Sequence, residues 1–406
     1  MTQRNGNSLL TKQITILLIT ESPPLKEALR NIVNKTNALK ITGETPNCLQ
    51  ALDILLQINP DVVLLDPGIP STVNSVLLQH IMKQQATPII LLPNQSAMGL
   101  KQSFAALGNG AVDCIYKESL YANHGIRDFQ KSVQEKITCA AKMDVTSFAL
   151  SQNTPTNTPA ANEQKQTEFL FCEECGARNI IERSQETENS THCCSQCGDP
   201  LEVHQITQHK RTHYVTVIAA GSGSYTNLLK IIPQVPAGLS GAIIIVIYDE
   251  YNTIDTFSEY IEAISSTKVL RLKDGMSIEG GNCYIGAASE NFRMKSHSTR
   301  NLMTRTQELR ENQPIDFLMQ SVSEVFKKNS AGLILSGTER DAEKGVNAIK
   351  GNNGISAVLF APNCLNRQMG ENVLRHCRVD KIVDEHSATK FISELHNSAR
   401  DAVSTA

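Results

Sequence analysis

Residues 214–228 read YVTVIAAGSGSYTNL: an apolar run, a Gly/Ser-rich turn, then the start of a helix. The run is continuously apolar rather than alternating, the pattern of a strand buried on both faces of a parallel sheet. A Gly/Ser turn between such a strand and a helix can present a nucleophile or cradle an anion. Outward from this unit the alternation continues. Apolar runs at Ala242–Tyr248, Val269–Leu272, Cys283–Ile285, Ala331–Ser336, Ile355–Phe360 and Val379–Val383 predict further strands. Helical patterns at Tyr225–Ile232, Ile254–Ile264, Ile315–Lys328, Asp341–Lys350 and Ala388–Ser398 separate them. The region 213–400 is therefore expected to be a doubly wound α/β domain.

The same alternation occupies residues 14–142. Runs at Ile14–Thr20, Leu39–Gly43, Asp61–Asp66, Pro88–Leu92 and Ala111–Tyr116 predict a five-stranded parallel sheet with helices on both faces. Asp66 ends the third run, Lys117 follows the fifth, and Glu21 follows the first. The carboxyl ends of parallel strands form one edge, so these side chains are expected to converge where a Mg²⁺ ion and a phosphoryl group could be held. The stretch 143–168 is rich in Asn, Thr, Gln and Pro and reads as a linker.

With 40% hydrophobic and 19% charged residues the chain can bury real cores, and with 5% aromatics and no Trp the filling must be aliphatic. A net charge of −3 without a long basic run argues against broad binding to nucleic acid. The first apolar run, ITILLIT, is too short to span a bilayer and is preceded by polar residues, so no membrane insertion and a cytoplasmic location are expected.

Five of the 11 cysteines fall between Cys172 and Cys197. Cys172 and Cys175 form one C-x-x-C knuckle, Cys194 and Cys197 a second, and a glycine follows each. The 18 residues between the knuckles (176–193) are a spacing suited to a Cys₄ zinc ribbon over 169–203. Four thiolates leave no open position, so the zinc is expected to be structural. Cys193, His192 and His204 are spare donors of lower rank. The ribbon is acidic, which favours docking to protein over nucleic acid.

In motif order, residues 14–142 resemble a response-regulator receiver domain. The resemblance implies Asp66 as phosphoacceptor and Lys117 as the residue that senses the phosphoryl group. The paired acids after the first strand are Thr20-Glu21 here, and the usual hydroxyl residue after the fourth strand is Pro93.

The large domain resembles the catalytic domain of the chemotaxis protein-glutamate methylesterases, through the stretch at 214–228, IIIVIYDEYN, GGNCYIGAASENFRM, NQPIDFLMQSVSEVF and AGLILSGTERDAEKGVNAIK in that order. A receiver followed by this domain is that family's layout. The family hydrolyses glutamyl methyl esters, and deamidates glutamines, on chemoreceptors with a Ser-His-Asp triad, under a histidine kinase. Its Asp carries over to Asp341. The nucleophile position is Gly221 and the His position Tyr248. Ser222, one residue on, could be recruited, but a serine needs a base; His213 precedes the strand, at its opposite end, and His297 and His376 are distant in sequence. Three readings follow: an esterase-derived regulator that no longer cleaves esters and acts by binding, an active esterase using Ser222 and Asp341, and a zinc-ribbon adaptor.

Overall fold

The computed structural model describes residues 13–404 except 47, 68–70, 122–125, 144, 146–166, 172–177, 183–191, 194–195, 198–199, 202–211, 298–299, 307–312 and 361–363. Internal packing divides the chain into two units, residues 1–152 together with 211–406, and residues 153–210.

The amino-terminal part of the first unit is a five-stranded parallel sheet in the order β2-β1-β3-β4-β5. Its strands are β1 (Ile14–Ile19), β2 (Leu39–Thr45), β3 (Val62–Leu65), β4 (Ile89–Leu91) and β5 (Asp113–Cys114). Helices α1 (Pro23–Val33), α2 (Cys48–Ile58), α3 (Ser71–Gln84), α4 (Ala97–Gly108), α5 (Lys117–Tyr121) and α6 (Ile126–Ala140) accompany it. Local chemistry sets the helix starts. Ser22 caps α1, which then begins with proline, and the Ser96 hydroxyl accepts the Gly99 amide at the head of α4. All five sequence-predicted strands are present.

The carboxyl-terminal part holds a seven-stranded sheet in the order β12-β14-β11-β10-β17-β18-β19, parallel throughout. These are β10 (Val215–Ala220), β11 (Ala242–Ile247), β12 (Lys268–Arg271), β14 (Asn282–Ala287), β17 (Ser330–Ile334), β18 (Ile355–Leu359) and β19 (Lys381–Val383). The seven apolar runs read from the sequence are the seven strands of this sheet. Its helices are α7 (Tyr225–Ile231), α8 (Tyr251–Ile264), α9 (Pro314–Phe326), α10 (Glu343–Gly351), α11 (Gln368–His376) and α12 (Glu385–Ser404). A small antiparallel sheet, β13 (Met276–Ser277) with the hairpin β15 (Phe292–His297) and β16 (Arg300–Arg305), was not expected. Its short strands carry charged residues on one face, and their apolar side chains Phe292, Met294 and Met303 are too few to form a continuous run.

The two sheets of this unit do not have separate cores. One apolar cluster runs from Leu17, Leu64 and Phe104 through to Leu228, Phe257 and Ile285. Phe104 of α4, 1% exposed, stands among Tyr225, Phe257 and Tyr260, with ring centroids 5.3, 5.0 and 5.8 Å away. The Lys101–Glu259 ion pair at 3.0 Å lies at the same contact. Met143 and Val145 are buried in this unit, and Thr167–Phe171 is a strand, so the expected linker over 143–168 is shortened at both ends. At the chain's other end α12 runs to Ser404, past the expected limit at 400.

The second unit contains two antiparallel pairs, β6 (Thr167–Phe171) with β7 (Arg178–Glu182), and β8 (His192–Cys193) with β9 (Pro200–Leu201). Among the described residues, no helix is long and apolar enough to cross a membrane.

Candidate functional site

In the large sheet, β10 is flanked by β11 on one side and β17 on the other, which makes this the point where strand order reverses. Loops diverge there and leave a crevice at the carboxyl edge. Gly221 follows β10, Tyr248 follows β11, and the loop Ser336–Asp341 follows β17. Tyr248 and Asp341 are brought into hydrogen-bond contact, and Gly221, Ser222 and Tyr248 line one chamber; Ser222 and Asp341 share no described contact.

Asp341 is 2% exposed and fully engaged. Its Oδ2 accepts from the Tyr248 hydroxyl at 2.6 Å and the Ile315 amide at 2.9 Å. Its Oδ1 accepts from the amides of Asp316 at 2.9 Å and Ala342 at 2.7 Å. Two of these amides belong to the first turn of α9, so Asp341 satisfies a helix start that would otherwise leave donors buried. Burial, followed by the hydrogen bond to Asp341, raises the Tyr248 phenol well above its ordinary range. At neutral pH it is a proton donor and cannot serve as a base.

Ser222 lies in the turn after Gly221. Its side chain is 3.3 Å from the Asn366 amide nitrogen, while its carbonyl accepts from Asn366 Nδ2 at 3.1 Å and Ser336 Oγ at 3.0 Å. Its backbone amide donates to the Glu339 carboxylate, at 3.2 and 3.4 Å to the two oxygens. That carboxylate fills the space a side chain at 221 would need. A Cβ at Gly221 would come 1.9 Å from Glu339 Oε2 and 2.7 Å from the Gly337 Cα. A Cβ at Gly337 would meet the same oxygen at 2.6 Å. Two glycines and one amide thus form a close-fitting cradle around a carboxylate. His376 pairs with Glu343 at 3.1 Å, and neither His213 nor His376 lines the two described cavities that reach Ser222; the His297 side chain lies outside what the structure describes.

At the edge of the small sheet, Asp66 is 5% exposed. Its Oδ1 receives the Lys117 ammonium at 2.6 Å and its Oδ2 the Thr20 hydroxyl at 2.8 Å. The pairing of Asp66 with Lys117 agrees with the expectation. Glu21 is exposed, and the neighbour that reaches Asp66 from the end of β1 is Thr20. A magnesium ion takes several oxygen ligands in near-octahedral geometry. Among the described residues, an ammonium holds one Asp66 oxygen and a hydroxyl the other, a donor set that fits that ion poorly.

The small sheet's β5–α6 face covers the esterase-like crevice. A chamber of about 240 Å³ lies between Cys114, Tyr116 and Lys136 on one side and Ser222, Tyr225 and Tyr248 on the other. Lys136 donates to Asp113 at 2.8 Å and to the Cys114 carbonyl at 2.9 Å. Opposite, the Tyr225 hydroxyl donates to Asp249 at 2.7 Å, and burial raises the Asp249 carboxyl above its usual range.

Of the expected zinc ligands, Cys172, Cys175 and Cys194 lie outside the described residues, and Cys197 is exposed. The strands on either side of each knuckle pair antiparallel, which fits ligands drawn from two hairpins.

Sequence reading missed Glu339 and Asn366. Both are polar residues in loops whose partners lie more than a hundred positions away, and no local pattern marks them.

Residues 16–123 match the response regulator receiver domain, and residues 216–392 match CheB methylesterase. A curated relative from Pyrococcus abyssi, named protein-glutamate methylesterase/protein-glutamine glutaminase, is 22% identical over 351 residues, covering 86% of this chain and 84% of its own length. A relative from Syntrophomonas wolfei with the same name, numbered 1, is 23% identical over 387 residues, covering 94% and 98%. The crystal structure of the Thermotoga maritima CheB methylesterase catalytic domain is 20% identical and covers 45% of this chain and 99% of its own, with a TM-score of 0.44. The crevice at the β10/β17 reversal and the Asp66–Lys117 pair thus sit in the two matched segments, and the chain is a CheB-like response regulator with a receiver domain and a methylesterase domain.

Proposed function

We propose that this protein is a chemotaxis-type response regulator whose methylesterase domain no longer hydrolyses esters and acts by binding. The observation that carries this reading is the Glu339 carboxylate in the space beside Gly221. Acyl transfer needs a nucleophile, a base and donors aimed at a developing oxyanion. Gly221 offers no nucleophile, Tyr248 holds its proton, and the Ser222 amide is engaged by a carboxylate. A negative charge at that place opposes a second one forming there. Ester hydrolysis would fall by several orders of magnitude when such groups are lost together.

The test is methanol release from a methylated chemoreceptor by the full-length, zinc-loaded chain, beside Ser222→Ala and Asp341→Ala. No release is expected from any of the three. Release by the parent chain that disappears in Ser222→Ala would overturn the reading in favour of an active esterase, for which Asn366 beside the Ser222 hydroxyl supplies no base.

By resemblance, the partners are chemoreceptors and a chemotaxis-type histidine kinase, in the cytoplasm. Asp66 is the phosphoacceptor, with Lys117 as the group that follows the phosphoryl oxygen. Cys172, Cys175, Cys194 and Cys197 hold a structural zinc ion, a reading supported by the paired strands around each knuckle. No step is assigned to Mg²⁺.

A further inference from the structure

The chamber of about 240 Å³ between the receiver and the methylesterase domain differs in composition from the aliphatic cores around it. Three of the chain's eight tyrosines, Tyr116, Tyr225 and Tyr248, line it, in a chain with 5% aromatics and no Trp. Its charged residues are Asp113 and Lys136 from the receiver and Asp249 from the methylesterase domain. Lys136 donates to Asp113 at 2.8 Å and to the Cys114 carbonyl at 2.9 Å. Asp249 is partly buried and makes no ion pair among the described residues. Its Oδ2 accepts from the Tyr225 hydroxyl and its Oδ1 from the Glu250 amide, each at 2.7 Å.

Two carboxylates against one ammonium leave an excess of negative charge in a partly closed space. On the Ser222 side a further carboxylate, Glu339, accepts from the Ser222 amide at 3.2 Å. Burial without a paired cation is unfavourable for Asp249, and its carboxyl is held above its usual range for that reason, even with Lys136 near. A second cation in the chamber relieves that cost.

The walls select among cations. Aromatic faces attract positive charge through the ring quadrupole. The Tyr225 and Tyr248 hydroxyls donate to carboxylates, at 2.7 Å to Asp249 and 2.6 Å to Asp341, which leaves both rings electron-rich. A hard metal ion takes several oxygen ligands instead. Among the described residues no group of three or more His, Cys, Asp and Glu side chains is placed to hold one. An alkylated ammonium ion is suited by one carboxylate, aromatic faces and apolar surface, and Val112 and Val133 supply the last.

We propose that the chamber binds a small organic ammonium ion, its charge held between Asp249 and the tyrosine faces. The walls come from both domains, so the bound ion touches each and favours the docked arrangement. Binding of this kind is independent of ester cleavage.

The test is calorimetric titration of the full-length, zinc-loaded chain with choline. The comparison ligand is the uncharged alcohol in which carbon replaces the quaternary nitrogen. Choline is expected to bind about tenfold or more tighter than the alcohol and to raise the thermal midpoint. Asp249→Asn keeps an acceptor for Tyr225 but removes the charge. It is expected to weaken choline about tenfold and to leave the alcohol unaffected. Tyr225→Phe keeps the ring and is expected to bind choline as the parent does, whereas Tyr225→Leu is expected to weaken it about fivefold. No saturable heat with choline, or choline no tighter than the alcohol, would overturn the proposal. Equal choline affinity in the parent and in folded Asp249→Asn would do so too. The comparison of the two ligands on the parent chain decides the matter even where a variant fails to fold.

Discussion

The Tyr248 hydroxyl and Asp341 Oδ2 lie 2.6 Å apart, and this bond makes structural use of a carboxylate whose counterpart in the resembled family serves catalysis. Asp341 also accepts three backbone amides, two of them from the start of α9. Replacing Tyr248 by phenylalanine removes one of four donors and is expected to cost about 1 kcal/mol. Asp341→Ala orphans three buried amides and is expected to cost about 2–4 kcal/mol. Urea denaturation measures both. Equal losses in the two variants would contradict the capping role.

The space beside Gly221 can hold one side chain. Gly221→Ser is expected to destabilise by about 1–3 kcal/mol through overpacking against Glu339 and the Gly337 backbone. Adding Glu339→Gly is expected to recover a large part of that cost, giving a coupling of about 1 kcal/mol or more in a double-mutant cycle. Additive losses would mean that the two residues do not share the space. The double variant without Tyr248→His is still expected to release no methanol, because it has no base.

Two buried groups give stability opposite pH trends. Burial pushes the Asp316 carboxyl up to about 7 from 3.8, and its Oδ2 is buried without a hydrogen-bond partner among the described residues. Its contribution is fully present below 3.8 and is lost as pH rises through 7. His396 is 0% exposed, and burial lowers it from 6.5 to about 4. Its contribution is present above 6.5 and is lost as pH falls through 4. Each effect is on the order of a few kcal/mol. Above pH 6.5 His396 is neutral in the folded state, so the decline that remains there comes from buried carboxyls held above their usual range, Asp316 and Asp249. Asp316→Asn is expected to lessen it, and an unchanged slope in denaturant midpoint against pH would rule Asp316 out as a source.

Phe104 ties the receiver to the methylesterase domain. Phe104→Ala is expected to cost about 3–5 kcal/mol, as for a large buried aromatic. Hydrogen exchange should then quicken in α8 as well as in α4, because the ring packs against Phe257 and Tyr260. Protection of α8 that stays at the parent level would show that the two domains unfold independently.

Metal removal addresses the second unit. With zinc bound to four thiolates, a thiol reagent on the native chain is expected to spare Cys172, Cys175, Cys194 and Cys197, and a strong chelator to expose all four together. The chain is expected to keep its α/β circular dichroism signal after chelation. Reaction of the four cysteines without a chelator would exclude the site.

Much of the fold follows from local pattern. Both parallel sheets were legible because a strand buried on two faces must be apolar along its whole length, and helices between such strands enforce parallel order. Asp66 and Lys117 were legible because strand ends are marked by where the apolar runs stop, and Gly221, Tyr248 and Asp341 through the resemblance to the methylesterases. The hairpin β15–β16 was not, since exposed Arg293 and Lys295 alternate with buried Phe292 and Met294 and no continuous run results. Glu339 was hidden for another reason. Its meaning lies in an oxygen placed where a residue 118 positions earlier has no side chain, and only the packing of β10 beside β17 brings the two together. The sequence alone determined the two α/β layers and which strand ends face the crevice. Tertiary structure alone decided that the receiver shares the esterase domain's core and that the chain's own carboxylate fills the crevice, because both depend on contacts across chain distances that carry no local signal.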